Sequence, residues 1–407
     1  MKTKHIKHLL LFLLILVNIN LFNLYVNAQA RKTISFDADW RFLKGNAENA
    51  EKLDFNDSAW KTVNVPHDWS IEGPFDEKNP TGAGGGFLPS GVSWYRKHFT
   101  VSEKDKGERF FIEFDGIMGI SDVWINGQHL GQRPSGYISF SYELTDHLNF
   151  GKDNVIAVKA DTSLQPSSRW YTGAGIYRHV RLVKKNAVHI PQNGVFVTTP
   201  EVNEKEVVVK VSSEIINQSN ESRNVALQVD LIDSNGKYVA SDQGESLSLS
   251  PQQVKSFELN LTVKNPNRWQ LNNPVMYHAV VRVLLNNNIY YDEETIPFGI
   301  REFHFDANTG FWLNGKNFKV KGVCIHHDGS AFGAAVPLSV WENRLNELRK
   351  LGANAIRTAH NPPAPEFLDL ADRMGFLVMD ELFDQWTVAK NPYDNHLYFN
   401  EWSKRDV

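Results

Sequence analysis

The sequence predicts a multidomain β plus α/β chain: two all-β sandwiches followed by the opening units of a TIM (β/α)8 barrel. Three observations carry this. Short strand patterns punctuated by turn signals fill residues 34–297 with little helical period. Over residues 318–381, apolar strand-like runs alternate with stretches of three- and four-residue apolar spacing, as successive βα units do. Each of those runs also ends in polar side chains, at His326-His327-Asp328, at Arg357 and His360, and at Asp380-Glu381. The carboxyl ends of parallel strands are where barrels keep their chemistry.

The chain opens on a targeting pattern. Lys2, Lys4 and Lys7 precede an apolar run over residues 9–17, and Val26-Asn27-Ala28 offers a small-residue cleavage site. Residues 1–28 are therefore expected to be a signal peptide, and the product to be exported to the periplasm or the medium. Asn18, Asn20 and Asn23 break the run well short of a spanning helix, so no membrane association is expected after cleavage. A net charge of -4 without a basic run argues against nucleic-acid binding. Cys324 is the sole cysteine, which rules out an internal disulfide, and its place on a strand predicts a buried, inert thiol.

Within the first sandwich, Arg109-Phe-Phe-Ile-Glu-Phe-Asp115 alternates. Asp122-Val-Trp-Ile-Asn-Gly-Gln-His129 is a hairpin turning on Asn126-Gly127. The glycine-rich Pro80-Thr-Gly-Ala-Gly-Gly-Gly86 lacks the Lys-Ser/Thr and the strand-to-helix setting of a phosphate loop, and reads as a flexible loop near a pocket mouth. Regular short strands over about a hundred further residues, with a turn at Ser234-Asn235-Gly236, suggest an immunoglobulin-like sandwich. In the barrel segment, residues 318–325 form the first strand. Trp341, Leu345, Leu348 and Leu351 mark the first helix, closed by Gly352. Phe367, Leu368, Ala371 and Met374 mark the second, closed by Gly375. A complete barrel takes eight strands and roughly 250 residues, so this barrel is expected to be incomplete.

Several motifs, in order along nearly the whole chain after the first thirty residues, resemble glycoside hydrolase family 2, and within it the β-galactosidases. They are Asn64-Val-Pro-His-Asp-Trp69, Phe87-Leu-Pro-Ser-Gly-Val-Ser-Trp-Tyr-Arg96, Gly175-Ile-Tyr-Arg178, Gly322-Val-Cys-Ile-His-His-Asp-Gly329 and Arg357-Thr-Ala-His-Asn-Pro362. The resemblance implies a jelly-roll sugar-binding domain over residues 31–185, an immunoglobulin-like domain over 186–298 and a catalytic barrel begun over 299–407. It implies a substrate, an oligosaccharide or polysaccharide, bearing terminal β-galactose. β-Glucuronidase, β-mannosidase and a non-catalytic carbohydrate-binding protein stand as alternatives. A divalent cation and homo-oligomerisation belong, on this resemblance, to the complete enzyme; no cofactor or metal ligand is expected within these residues.

Retaining glycosidases use two carboxyl groups about 5 Å apart, both glutamates on later barrel strands in this family, the acid/base following an asparagine. Asn400-Glu401 has that dipeptide but sits in a polar, helix-like stretch with no apolar strand ahead of it. Asp380 and Glu381 are neighbours at a strand end and point apart. The chain is therefore expected to hold neither catalytic glutamate, and to supply part of the glycone-binding floor instead. By resemblance, His360 contacts sugar hydroxyls and stabilises the transition state, with Asn361 beside it. Trp170 lies in a Ser168-Arg169-Trp170-Tyr171 loop that reaches toward the sugar. Ser168 stands at or near a place where the family often has an aspartate, so the resemblance carries no sodium site there. Asp380 faces the sugar, with Glu381 structural, and His326 lines the pocket. Arg357 either orients a carboxylate in the site or forms an ion pair in the barrel wall. Adjacent His326 and His327 point opposite ways on an extended segment, against joint chelation of a metal.

Overall fold

The computed structural model describes residues 31–286 and 289–407, so the expected signal peptide lies outside the described residues. The chain divides into two compact units. One comprises residues 32–184, 266–276 and 299–407, so the first sandwich and the barrel segment form a single unit. The other comprises the second sandwich, residues 185–265 and 277–298, together with Arg31.

The first sandwich packs a four-stranded sheet against a six-stranded one. In the larger sheet, strand Val92–Thr100 pairs antiparallel with Trp40–Lys44 and with Asp153–Asp161. Alternation places Phe110, Ile112 and Phe114 of Arg109–Phe114 in the core with Trp40, Tyr95, Val123, Ile125, Ile156 and Val158. The Asn126-Gly127 turn joins Ile120–Ile125 to Gln128–Arg133 with φ of 51° and 85°. Both central residues are left-handed, as a two-residue hairpin matched to strand twist requires. The glycine-rich loop is a compact run of turns, with Gly85 N donating to Thr81 O and Phe87 N to Gly82 O. A Cβ on Gly84 would approach the Arg169 backbone to 3.3 Å, which places this loop against the Ser168-Arg169 segment.

The second sandwich is two antiparallel sheets. Glu206–Asn217 is central to one and Arg223–Ile232 with Tyr277–Leu285 to the other. The expected turn at residues 233–236 is present, with Asp233 Oδ1 accepting from the backbone of Asn235 and Lys237 and Gly236 at φ 78°.

The barrel segment is a parallel sheet of β1 (Gly322–Ile325), β2 (Ala355–Thr358) and β3 (Leu377–Met379), connected by α1 (Leu338–Lys350) and α2 (Pro365–Met374). A small hairpin sheet over residues 303–318 precedes it, and the expected first strand accordingly begins at Gly322, since Lys316–Phe318 pairs with Gly310–Leu313 instead. Ile356 on one face of the sheet packs with Trp341, Leu345, Phe367, Leu370 and Ala371, joined by Ile325 and Val378. Leu351, expected in that stripe, is 83% exposed. It lies ten residues after Trp341, about 80° away from the stripe at 100° per residue, and caps a helix that ends at Lys350. Gly375 ends α2 at φ 72°, and a Cβ there would come within 2.3 Å of Leu271 O, so two constraints select glycine.

Cys324 is exposed, against expectation. It alternates with Val323 and Ile325 and falls on the opposite face of β1, beside Arg357 and Met379 in register. That face is open among the described residues. No described helix is long and apolar enough to cross a membrane.

Candidate active site

Strand ends and one sandwich loop build the site. β2 is stopped by the prolines after it, so Ala359, His360 and Asn361 leave the strand as a turn at its carboxyl end. The Trp170 indole donates through Nε1 to the Tyr137 hydroxyl at 3.2 Å. Its ring lies 4.8 Å from that of His360 and 6.0 Å from that of His326 (centroid to centroid), and the two imidazoles are 5.3 Å apart. Trp170, His360 and Asn361 line one cavity of about 120 Å³, together with Asp161, Asp384, Asp394 and Tyr398.

His360 Nδ1 lies 3.4 Å from Glu381 Oε2, 3.7 Å from Asp384 Oδ1 and 3.5 Å from Arg357 Nη2. Burial, the largest influence, holds this imidazole below its ordinary value against the pull of Asp384 and Glu381, so it is neutral at pH 7. Arg357 Nε donates to Glu381 Oε1 at 2.5 Å. Asp380 is exposed, and its Oδ1 accepts from the Thr358 hydroxyl at 3.0 Å, whose oxygen in turn accepts from Glu381 N at 3.2 Å. Arg357 and Asp380 therefore border a second, more open concavity of about 770 Å³ that shares Leu382, Phe383 and Asp384 with the first. Of the two neighbours, Glu381 is the one beside His360.

The adjacent histidines do diverge. His326 faces Trp170 and His360, whereas His327 is packed against Tyr137 and Tyr177 at 5.2 and 5.7 Å between ring centroids. His327 Nε2 donates to Thr172 O at 3.0 Å. Burial pushes its imidazole down to about 4. Among the described residues no group of three or more His, Cys, Asp or Glu side chains is arranged to hold a metal ion. Asn400-Glu401 lies in the first turn of α3 (Phe399–Asp406), where Glu401 is exposed.

Two carboxylates that sequence reasoning passed over organise these elements. Asp384, with a side chain only 6% exposed, accepts from Arg169 Nη2 on both oxygens at 2.9 Å and from Lys390 Nζ at 2.8 Å. Burial alone would raise its pKa, but Lys390 and Arg169 outweigh that and hold it below the ordinary value. Asp384 follows Asp380 by four residues, so its strand-end place was the available signal. Asp68 is buried and gathers four donors: Ser70 N at 3.1 Å, Ala174 N at 2.9 Å, the Tyr171 hydroxyl at 2.5 Å and Ala334 N at 2.8 Å. A Cβ on Gly173 or Gly333 would fall 2.7 or 2.3 Å from its Oδ2. Asp68 thus joins the Trp170 loop to the segment after β1.

The chain matches three models of one family in succession: "Glycosyl hydrolases family 2, sugar binding domain" over residues 34–186, "Glycosyl hydrolases family 2" over 188–301 and "Glycosyl hydrolases family 2, TIM barrel domain" over 307–398. It is 47% identical over 377 residues to beta-galactosidase BoGH2A of Bacteroides ovatus, covering 93% of this chain and 44% of that protein. It is 32% identical over 377 residues to a beta-glucuronidase of Formosa agariphila, covering 87% and 38%. Among solved structures, a glycosyl hydrolase family 2 member from Bacteroides cellulosilyticus superimposes with a TM-score of 0.89 at 38% identity, covering 92% of this chain and 49% of that one. The chain thus spans less than half the length of each of these relatives. Two sandwiches, the begun barrel and the strand-end motifs agree with the matched models, and the chain belongs to glycosyl hydrolase family 2.

Proposed function

We propose that these residues form the glycone-recognising part of an exported, exo-acting, retaining β-galactosidase. The observation that carries the reading is the charge of the Trp170–His360 cavity. Its lining includes Asp161, Asp384 and Asp394 and no lysine or arginine. The nearby cations are engaged in ion pairs, Arg169 and Lys390 sharing Asp384 and Arg357 with Glu381. A uronic acid would bring its carboxylate toward Asp161 and Asp394 in a cavity that no lysine or arginine lines, which like-charge repulsion opposes. A neutral sugar meets the face of Trp170 and hydrogen-bonding groups at His360 and Asn361. The relatives named as a beta-galactosidase and a beta-glucuronidase bracket this choice.

The retaining pair of glutamates belongs, on this reading, to barrel strands outside these residues, and the 407-residue chain alone turns over no aryl β-galactoside. Joined to a complete barrel, it hydrolyses aryl β-galactosides with retention and in preference to β-glucuronides and β-mannosides. In that enzyme His360→Ala lowers kcat/KM by more than about tenfold, the loss of one strong transition-state contact, while Glu401→Gln leaves it active. A preference for the glucuronide, or turnover by the 407-residue chain that disappears with Glu401→Gln, overturns the reading. Export is checked by amino-terminal sequencing of the extracytoplasmic product, which begins at or near Gln29; a cytoplasmic product still starting at Met1 refutes it.

A further inference from the structure

Behind the floor formed by His326, His360 and Asn361 lies a separate cavity of about 30 Å³, between the first sandwich and the first two barrel strands. Pro66, Tyr177 and Arg178 line it from one side, and Ile325, Trp341 and Phe367 from the other. Four buried polar atoms of its lining meet no protein partner: His326 Nδ1, His327 Nδ1, Asn361 Nδ2 and Glu366 Oε2. Buried polar groups are rarely left unmatched, because each one that is has given up its hydrogen bonds to water for nothing. Four around one cavity point to a shared partner.

Donor and acceptor chemistry identifies that partner. His327 donates Nε2–H to the Thr172 carbonyl, so its Nδ1 carries a lone pair and accepts. Glu366 Oε2 accepts as well, and Asn361 Nδ2 can only donate. Strong acceptors and a donor facing one small space call for a ligand that does both. The lining offers a cation one carboxylate, Glu366, and no thiolate, and a volume near 30 Å³ exceeds the roughly 10–15 Å³ that one water needs.

We propose that this cavity is a structural solvent site, holding one water that donates to His327 Nδ1 and Glu366 Oε2 and accepts from Asn361 Nδ2. With that one water, the inventory closes only if His326 also donates. One water gives two hydrogens to two acceptors and takes two from donors, which leaves one place for His326 Nδ1–H. Two waters bonded to each other would leave a third hydrogen that His326 Nδ1 could accept, so it is the single water that sets the tautomer. His326 is thereby fixed as the Nδ1–H tautomer, with Nε2 as the acceptor of the ring beside Trp170 and His360. That Nε2 accepts a hydroxyl hydrogen of the glycone rests on the β-galactosidase reading. The water and the tautomers do not.

The test uses the 407-residue chain without substrate. A crystal structure at a resolution that shows ordered solvent is expected to place density in the cavity within hydrogen-bond distance of at least three of the four atoms. Long-range ¹⁵N–¹H spectra of the histidine-labelled chain are expected to show His327 protonated at Nε2 and His326 at Nδ1. Glu366→Leu removes one acceptor and releases the His326 tautomer preference, whereas Glu366→Gln, which keeps a carbonyl oxygen, retains it. A dry cavity, direct pairing among the four side chains, or His326 protonated at Nε2 overturns the proposal. If Glu366→Leu does not fold, the density and tautomers of the unaltered chain still decide it. Loss of galactoside specificity in the complete enzyme would bear only on the sugar contact.

Discussion

His327 makes the stability of the sandwich–barrel unit sensitive to mild acid. The folded chain keeps this imidazole neutral down to about pH 4, because charging it would bury a cation among Tyr137 and Tyr177 with Arg178 nearby. An unfolded histidine takes up its proton near 6.5. Between these values the unfolded state binds more protons, so stability is complete above about pH 6.5 and falls as pH drops toward 4. A gap from 6.5 to about 4 corresponds to about 3 kcal/mol at its limit and about 2 kcal/mol at pH 5. For a unit of this size, about 2 kcal/mol lowers Tm by roughly 3–4 °C. His327→Gln keeps a donor for Thr172 O but does not titrate. It is expected to be less stable than the unaltered chain at pH 7, through lost packing, while its Tm falls by roughly 3–4 °C less between pH 7 and pH 5. Carboxylates that titrate in both proteins cancel in this difference, which is read from paired thermal melts followed by tryptophan fluorescence. Equal losses in the two proteins over that interval would refute the argument, because the buried imidazole would then not be what couples folding to protons.

His179 behaves with the opposite sign. Its hydrogen bond to Asp37, Nδ1 to Oδ2 at 2.8 Å, raises its pKa, so its contribution is present below the ordinary value and is lost as pH rises through the raised one. His179→Asn should flatten the alkaline side of the Tm profile above pH 6.5, and an unchanged slope there would discount the pair. Gly175 sits at φ 103°, and a Cβ would lie 2.1 Å from the Tyr95 hydroxyl of the core. Gly175→Ala is expected to destabilise by at least about 2 kcal/mol, from overpacking and a disfavoured backbone together; denaturant melts within about 0.5 kcal/mol of the unaltered chain would contradict the close approach.

Local chemistry was legible wherever one residue type answers one local demand. Asn126-Gly127 announces its hairpin because few residues tolerate two left-handed positions, and Gly375 announces the end of α2 for the same reason. Apolar spacing located α1 and α2, and polar strand ends located Arg357, His360 and Asp380. Cys324 was misjudged because alternation names two faces of a strand without saying which is covered. Asp384 and Asp68 escaped because their partners arrive from far along the chain, Arg169 to Asp384 across 215 positions and Ala334 to Asp68 across 266. No local window contains such pairs. The divergence of His326 and His327 followed from strand geometry alone, but which of them was enclosed did not.

The Asp68 knot has a consequence for how the protein is made. Three of its four donors, Ser70, Tyr171 and Ala174, lie within the sandwich, and the fourth, Ala334 N, is 266 residues downstream. At synthesis rates of about 5–20 residues per second, that donor leaves the ribosome on the order of 10–50 s after Asp68 itself. Throughout that interval the nascent sandwich carries a carboxylate short of one partner and a Trp170 loop without its seat on the barrel. The sandwich is complete in sequence long before it is complete in bonding, so the growing chain is expected to remain open to proteases and chaperones at this loop until the segment after β1 emerges.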